Sequence, residues 1–289
     1  MKFRIKKPYY PLILFVGLLM GICLQSVAEG YDTIAVQKDS LYAPVYDYEY
    51  IPDATYDEVE KRFSMLKTEI PVTFNERVKA FIDYFTVKDR EYTKMVVGRS
   101  TYYFPIFEYY LTKYDMPDEI KYLAIVESGL SATARSRAAA VGLWQFMYTT
   151  GRMYGLHADW FIDERMDPHK STEAACLFLH SLYGMFGDWE LALAAYNWGP
   201  RNVRTAIRRS GYKKNFWEIF RYLPRETRGY VPQFLAFIYD FNHLEEHNFF
   251  FDEGDFLYPL AYDTIMVKDY LDLQTLGDQL NVCVEDLER

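Results

Sequence analysis

From Tyr56 to about Asn248 the apolar residues of this chain recur at helical spacing almost without a break, and that periodicity restricts the fold more than any other feature. The spacing predicts helices over residues 75–85, 102–113, 117–127, 143–154, 171–186, 188–197, 200–210, 215–221 and 226–247. Pro105 is expected in the first turn of its helix, where a missing N–H costs nothing. Gly151, Gly155, Gly187, Gly199 and Gly211 punctuate the runs. No stretch of this region alternates with the period of a half-buried strand, and no strand–helix rhythm is present. The expected class is therefore all-α, with short helices joined by short loops.

One acid lies on the wrong side of this pattern. Ile120, Leu123, Ala124 and Glu127 fall at i, i+3, i+4 and i+7, so the Glu127 carboxylate shares the apolar stripe of its own helix. An acid there must be paired with a cation, capped by backbone amides, neutralised or put to use. Desolvation disfavours the charged form and can leave a carboxylic acid as a proton donor near neutral pH. Periodicity alone leaves these alternatives open.

The ends of the chain differ from its middle. Lys2, Arg4, Lys6 and Lys7 precede an apolar run over 12–24, and Ser26-Val27-Ala28 supplies small residues for cleavage after Ala28. This reads as an export leader over residues 1–28 rather than a membrane-spanning helix. Cys23 raises a lipid anchor, against which stands Ile22, large where a small residue is expected. Residues 29–52 are acidic, tyrosine-rich and irregular, and 29–69 are read as an acidic lead-in with a first helix. From Phe249 an aromatic linker is expected to anchor back on the helical domain. It leads to a strand over 263–268 and two short helices over 271–280 and 284–287.

The net charge of −9 is unevenly spread. Residues 201–228 gather Arg201, Arg204, Arg208, Arg209, Lys213, Lys214, Arg221, Arg225 and Arg228 against only Glu218 and Glu226. A basic segment in an acidic chain suggests a local anionic partner rather than nucleic acid, the alternative being a solvated helix face. Cys176 lies in an apolar run and is expected as a buried free thiol; with Cys283 it forms no disulfide or zinc pattern. The histidines offer no His-Glu-x-x-His motif, and His243 and His247 are read as a surface pair. No metal and no cofactor are expected.

Four segments combine around Glu127. Glu127-Ser128 ends one predicted helix, and Gly142-Leu143-Trp144-Gln145 opens the next. Ala195-Tyr196-Asn197 sits near the end of another, and Glu226-Thr227-Arg228-Gly229-Tyr230-Val231 begins the last long one. In this order and spacing, over about residues 70–248, they resemble the lytic transglycosylase (SLT) domain of glycoside hydrolase family 23. The segments 102–108, 163–175 and 206–211 extend the likeness. The resemblance implies a lysozyme-like helical domain at 70–248 and a truncated LysM-like βαα tail within 249–289. It implies cleavage of the β-1,4 bond between N-acetylmuramic acid and N-acetylglucosamine in peptidoglycan, leaving a 1,6-anhydromuramoyl end. It places the single acid/base on Glu127 and substrate binding on Ser128, Gln145, Tyr196, Asn197 and Tyr230. The expected setting is the periplasm, as a monomer on peptidoglycan glycan strands, with outer-membrane association left open.

This chain departs from the family pattern in places. Ser131-Ala132 stands where relatives carry Asn-Pro, Ala139 where a glycine is common, and Arg201 where a second glycine is usual. Two competing readings are a lysozyme-type hydrolase that admits water and a non-catalytic wall-binding protein. Bland roles also exist for the motif residues. Trp144 and Trp198 read as core aromatics, Asn197 as a helix cap, and Arg228 as an ion-pair partner of Glu226 or Glu218.

Overall fold

Side-chain caps fix where the helices begin. In the computed structural model, which describes residues 50–257 and 270–287, Thr55 and Glu58 close a capping box at the start of α1 (Tyr56–Ser64). Asn75 accepts from the backbone of Arg77 and Val78 at the start of α2 (Glu76–Asp83). Asp167 and Asp188 cap α6 (Pro168–Phe186) and α7 (Trp189–Trp198), and Asn215 caps α9 (Phe216–Ile219). Each cap satisfies amide donors that a helix cannot pair internally. The remaining helices of this region are α3 (Arg90–Lys113), α4 (Leu123–Ser128), α5 (Tyr148–Met153), α8 (Pro200–Arg209) and α10 (Arg225–Asn242).

The last of these helices is the axis of the packing. Between Tyr230 and Phe241 only Gln233 escapes burial, and the helix lies against α2, α7 and α4. Helix α6 packs against α3 and α7, and α8 against α7. Trp144, Phe107, Phe234 and Tyr239 are among the largest fully buried side chains. The expected all-α class is what the described residues adopt. No β-sheet forms among them, only isolated antiparallel bridges joining Arg135 to Val141, Val141 to Phe146, and Ala158 to Asp163.

Three sequence expectations need correction. The helix expected over 102–113 starts twelve residues earlier, at Arg90, so Pro105 lies in its interior. Interior proline costs about 3 kcal/mol. Burial of Thr93, Val96, Val97, Ser100, Phe104, Phe107 and Leu111 along one face offsets that cost. The helix expected over 143–154 exists only as α5, because residues 142–146 form a turn. The histidine pair is not on the surface. His247 is buried, with its Nε2 3.0 Å from the Tyr239 hydroxyl, and His243 sits beside Glu246 at 3.1 Å. The Tyr239 ring lies against both imidazoles and draws them inward. Burial lowers the His247 pKa to about 4, so the ring is neutral.

The aromatic linker does return to the helical domain. Phe249 is buried under the Arg90 guanidinium, 4.0 Å from its ring centre, and Phe251 stacks on it. The chain then crosses α3 at Gly98, where the Leu257 N–H donates to the Gly98 carbonyl at 3.0 Å. Helices α11 (Leu273–Leu280) and α12 (Val284–Leu287) lie in the tail where two short helices are expected. The strand expected at 263–268 and the leader at 1–28 fall outside the described residues. Cys176 is a buried free thiol and Cys283 an exposed one.

Gly98 allows a decisive test of that crossing. A Cβ there would sit 1.9 Å from the Asp255 carbonyl oxygen. Alanine normally stabilises an exposed helix interior by about 1 kcal/mol relative to glycine. Here the sign should reverse, and Gly98→Ala should lower stability by roughly 1–3 kcal/mol in denaturant unfolding. A stabilised variant would mean that the 252–257 segment does not lie on α3.

Candidate active site

The short helix that carries Glu127 is held at both ends. A 3₁₀ turn over Asp118–Tyr122 leads into α4 and buries Ile120, while Leu123 and Ala124 face the core. The helix stops at Gly129, which takes the left-handed conformation (φ 59°) and returns its N–H to the Ile125 carbonyl at 2.9 Å. The Tyr92 hydroxyl donates to that same carbonyl at 3.2 Å, and Arg99 donates to the Gly129 carbonyl at 2.9 Å. Ser128 ties the end of α4 to the next segment. Its hydroxyl lies 3.0 Å from the Ala124 carbonyl and 2.9 Å from the Leu143 carbonyl, and it accepts from the Ser131 N–H at 3.3 Å.

Leu143 belongs to the turn that replaces the expected helix start. Gly142 has φ 86°, and a Cβ there would meet the Arg165 carbonyl oxygen at 1.9 Å, so only glycine fits. Val141 and Phe146 exchange backbone hydrogen bonds at 3.1 Å, closing a loop that helical geometry cannot make. Trp144 is fully buried against Phe107 and donates from Nε1 to Thr172 at 2.9 Å. Gln145 is left-handed (φ 47°) and partly exposed, and its amide donates to the carbonyls of Ala134 at 3.2 Å and Gly142 at 2.9 Å. Arg165 braces the loop from below. It pairs with Asp163 through two bonds of 2.8 and 2.7 Å and donates to the carbonyls of Ala139 and Phe146.

The other two motifs close on Glu127 from the opposite side. The Tyr196 hydroxyl donates to the Trp144 carbonyl at 2.8 Å, and its ring packs on Phe178. Asn197 accepts from Thr227 at 2.7 Å and donates to Glu226 at 3.3 Å, joining the end of α7 to the first turn of α10. One turn further along α10, the buried Tyr230 hydroxyl donates to Glu127 Oε1 in a short contact. Glu127, Ser128, Tyr196 and Tyr230 are thus joined directly or through the 143–144 carbonyls. Asn197 is joined through Glu226 and Thr227, and Gln145 stands on the loop beside them. The cap of α7 is Gly199 rather than Asn197.

Burial controls the chemistry of the acid. Glu127 as a residue is partly exposed, but its carboxyl is surrounded by protein, and desolvation pushes its pKa up to about 8. The Tyr230 hydrogen bond opposes this shift and the Glu226 charge adds to it. Both tyrosine hydroxyls are pushed well above their ordinary value, by burial first and then by the Glu127 charge, so they act as donors. No cation pairs with Glu127 among the described residues, and no group of acids, histidines or cysteines there could hold a metal ion. The arrangement offers one protonated carboxylic acid, oriented by a phenol, at neutral pH.

Sequence reasoning overlooked Tyr92, Arg99 and Arg165 as supports of this geometry. The Asp163-x-Arg165 pair had a legible signal, an acid and a base flanking one residue inside a breaker-rich stretch. Tyr92 and Arg99 had none, since their helix was expected to begin after them.

Residues 104–220 match the family model of the transglycosylase SLT domain. Over 164 residues the chain is 38% identical to the membrane-bound lytic murein transglycosylase D of Escherichia coli K12, an alignment covering 55% of this chain and 33% of that protein. The chain therefore spans about a third of the length of that relative. Among solved structures, the 70 kDa soluble lytic transglycosylase of Escherichia coli is 24% identical with a TM-score of 0.43, covering 53% of this chain and 26% of that one. A complex of the 70-kDa soluble lytic transglycosylase with bulgecin A gives 23% identity, a TM-score of 0.44, and coverage of 55% and 27%.

The raised acid has a signature in stability. Between the ordinary carboxyl pKa and about 8, the unfolded chain has released this proton while the folded one still holds it. The folded state then binds more protons, so stability falls as pH rises through that window, by about 1.4 kcal/mol per pH unit for this group. Glu127→Gln removes the penalty. Its melting temperature should exceed that of the parent at pH 9, and the gain should shrink towards pH 5. A gain that does not vary with pH would show that the carboxyl is not kept protonated.

Proposed function

We propose, from the premise that the chain carries a transglycosylase SLT domain over residues 104–220, that it is a peptidoglycan lytic transglycosylase with Glu127 as its acid/base. The observation that carries this reading is a single carboxyl held in its protonated form, bonded to Tyr230, with no second carboxyl hydrogen-bonded to it among the described residues. Ordinary glycosidases flank the scissile bond with two carboxyl groups of distinct roles. One acid suffices when the substrate supplies the nucleophiles.

The proton inventory closes on that basis. Glu127 gives its proton to the glycosidic oxygen as the bond to the muramoyl C1 breaks, releasing N-acetylglucosamine with a free 4-hydroxyl. The muramoyl 2-acetamido oxygen stabilises the cationic C1. The C6 hydroxyl of the same sugar then attacks C1, and its proton returns to the Glu127 carboxylate. Both nucleophiles belong to the bound sugar, so their effective molarity is high and no water is consumed. Tyr230 orients the acid and offsets part of the cost of its ionised form. Ser128 positions the acid by fixing the end of α4, and Gln145, Tyr196 and Asn197 line the sugar path beside it.

A specific observation favours one competing reading. Glu226 is close enough for its charge to raise the Glu127 pKa, and as a second carboxylate it could activate a water, giving a muramidase. It is exposed, and it is held by Asn197. The export leader read at residues 1–28 supports a periplasmic setting, with residues 70–248 as the proposed catalytic unit. Among the described residues no helix is long and apolar enough to cross a membrane.

Mass spectrometry of fragments released from purified sacculi decides the outcome. The expected product is the 1,6-anhydro form, lighter by one water than the hydrolysed form. Glu127→Gln should abolish its release, and release should decline as pH rises above about 8, where the acid loses its proton. Hydrolysed products that disappear in Glu226→Gln would establish the muramidase instead.

A further inference from the structure

A cleft lies on the face of α10 adjacent to that of Tyr230, the tyrosine that orients Glu127. It runs between α2 and the start of α10, has a volume of about 800 Å³, and is lined by Arg77, Arg225, Arg228, Phe220, Asn75 and Glu76. Gly229 also lines it and directly precedes Tyr230. Arg225 and Tyr230 are five residues apart on one helix, about 8 Å along its axis.

The three arginines are gathered without an ion-pair partner, although Glu76 also lines the cleft. Among the described residues none of them makes an ion pair, although the chain as a whole carries more acids than bases. Arg228 is not the ion-pair partner of Glu226 or Glu218 that its sequence context suggests. The Arg77 guanidinium lies 4.3 Å from the centre of the Phe220 ring and that of Arg228 5.8 Å from the same centre. Two guanidinium groups thus share one aromatic ring and one cleft, an arrangement that a bound anion would stabilise. The Arg228 Nε is buried and has no hydrogen-bond partner. A buried, unpaired guanidinium donor calls for a reason of its own. Glu76 lines the cleft but pairs with none of the three, and the Asn75 side chain is occupied in capping α2.

Guanidinium forks at this density match planar oxyanions, carboxylate above all. We infer that this cleft binds a carboxylate of the peptide carried by the glycan strand while the sugar lies against Glu127. The identity of the ligand rests on the reading of the chain as a peptidoglycan enzyme; the anion site itself rests on the arginine geometry. In this arrangement α10 presents two faces, one orienting the acid through Tyr230 and one anchoring the peptide through Arg225 and Arg228. The basic segment marked by the sequence has its structured anion site here.

Two measurements on the full chain test this. The first compares cleavage of strands carrying stem peptides with strands stripped of peptide by an amidase. Arg77→Gln combined with Arg225→Gln should lower the rate at sub-saturating peptide-bearing substrate by about tenfold and leave stripped strands within about twofold, the scale of one lost charge-assisted contact. Equal losses on both substrates, or no loss on either, would overturn the proposal. The second is calorimetric binding to the Glu127→Gln protein of a soluble tripeptide with free carboxylates, of its fully amidated form, and of inorganic phosphate. Binding of the free-carboxylate tripeptide alone, lost in the arginine variant, is expected. Binding of phosphate alone, or of no probe, would overturn it. If the parent protein cleaves neither strand, the catalytic reading fails while this second measurement still decides the cleft.

Discussion

A carboxylic acid set into an apolar wall at the end of a six-residue helix is what the rest of this structure has to accommodate. Left alone, an isolated helix of that length does not persist in water. Its register is imposed from outside, by Tyr92 and Arg99 on the carbonyls of Ile125 and Gly129, and by Ser128 on the Leu143 carbonyl. These contacts determine how much water reaches the carboxyl, and desolvation is the largest cause of its raised pKa. Position and chemistry are therefore one property. Any change that lets α4 tilt or fray would rehydrate the acid and return it towards an ordinary carboxylate.

The same logic explains why the loop over 142–146 is built from unfavourable backbone. Gly142 can only be glycine, because the Arg165 carbonyl occupies the space of a Cβ. Gln145 is left-handed despite its side chain, a conformation that costs about 1 kcal/mol or more outside glycine. Two hydrogen bonds from its amide to Ala134 and Gly142 offset that strain and hold the loop shut. The Leu143 and Trp144 carbonyls are then presented to Ser128 and Tyr196. Strain in the loop is thus converted into fixed acceptors for two residues of the site.

What the sequence could reveal follows from which forces leave a periodic trace. The stripe of Ile120, Leu123, Ala124 and Glu127 was legible because burial repeats with the helix turn. The turn at Gly142 was not, because Leu143, Trp144 and Phe146 look like a helix face to any count of apolar spacing, and the left-handed φ values leave no such mark. Pro105 misled in the opposite direction. Local rules put it at a helix start, and tertiary burial of seven residues on α3 overrode them. His243 and His247 were read from their spacing on a polar segment, whereas the Tyr239 ring decides their burial. The loop and Pro105 are cases of a long-range partner outweighing a local propensity.

Two of the departures from the pattern of the resembled family, Ala139 and Arg201, differ in what they cost the geometry. Ala139 adopts φ 61°, so the position where relatives favour glycine does demand a left-handed residue, and the methyl group carries strain there. The residue is exposed, and its carbonyl is held by Arg165, so the cost falls on a loop that is already braced. Arg201 differs. It lies in the first turn of α8, where helical dihedrals suit any side chain, and Gly199 with φ 90° already makes the turn before it. A second glycine there is unnecessary, and the arginine instead extends the basic face of α8. One departure thus strains the loop beside Gln145, while the other leaves the site geometry untouched and alters only the charge around it.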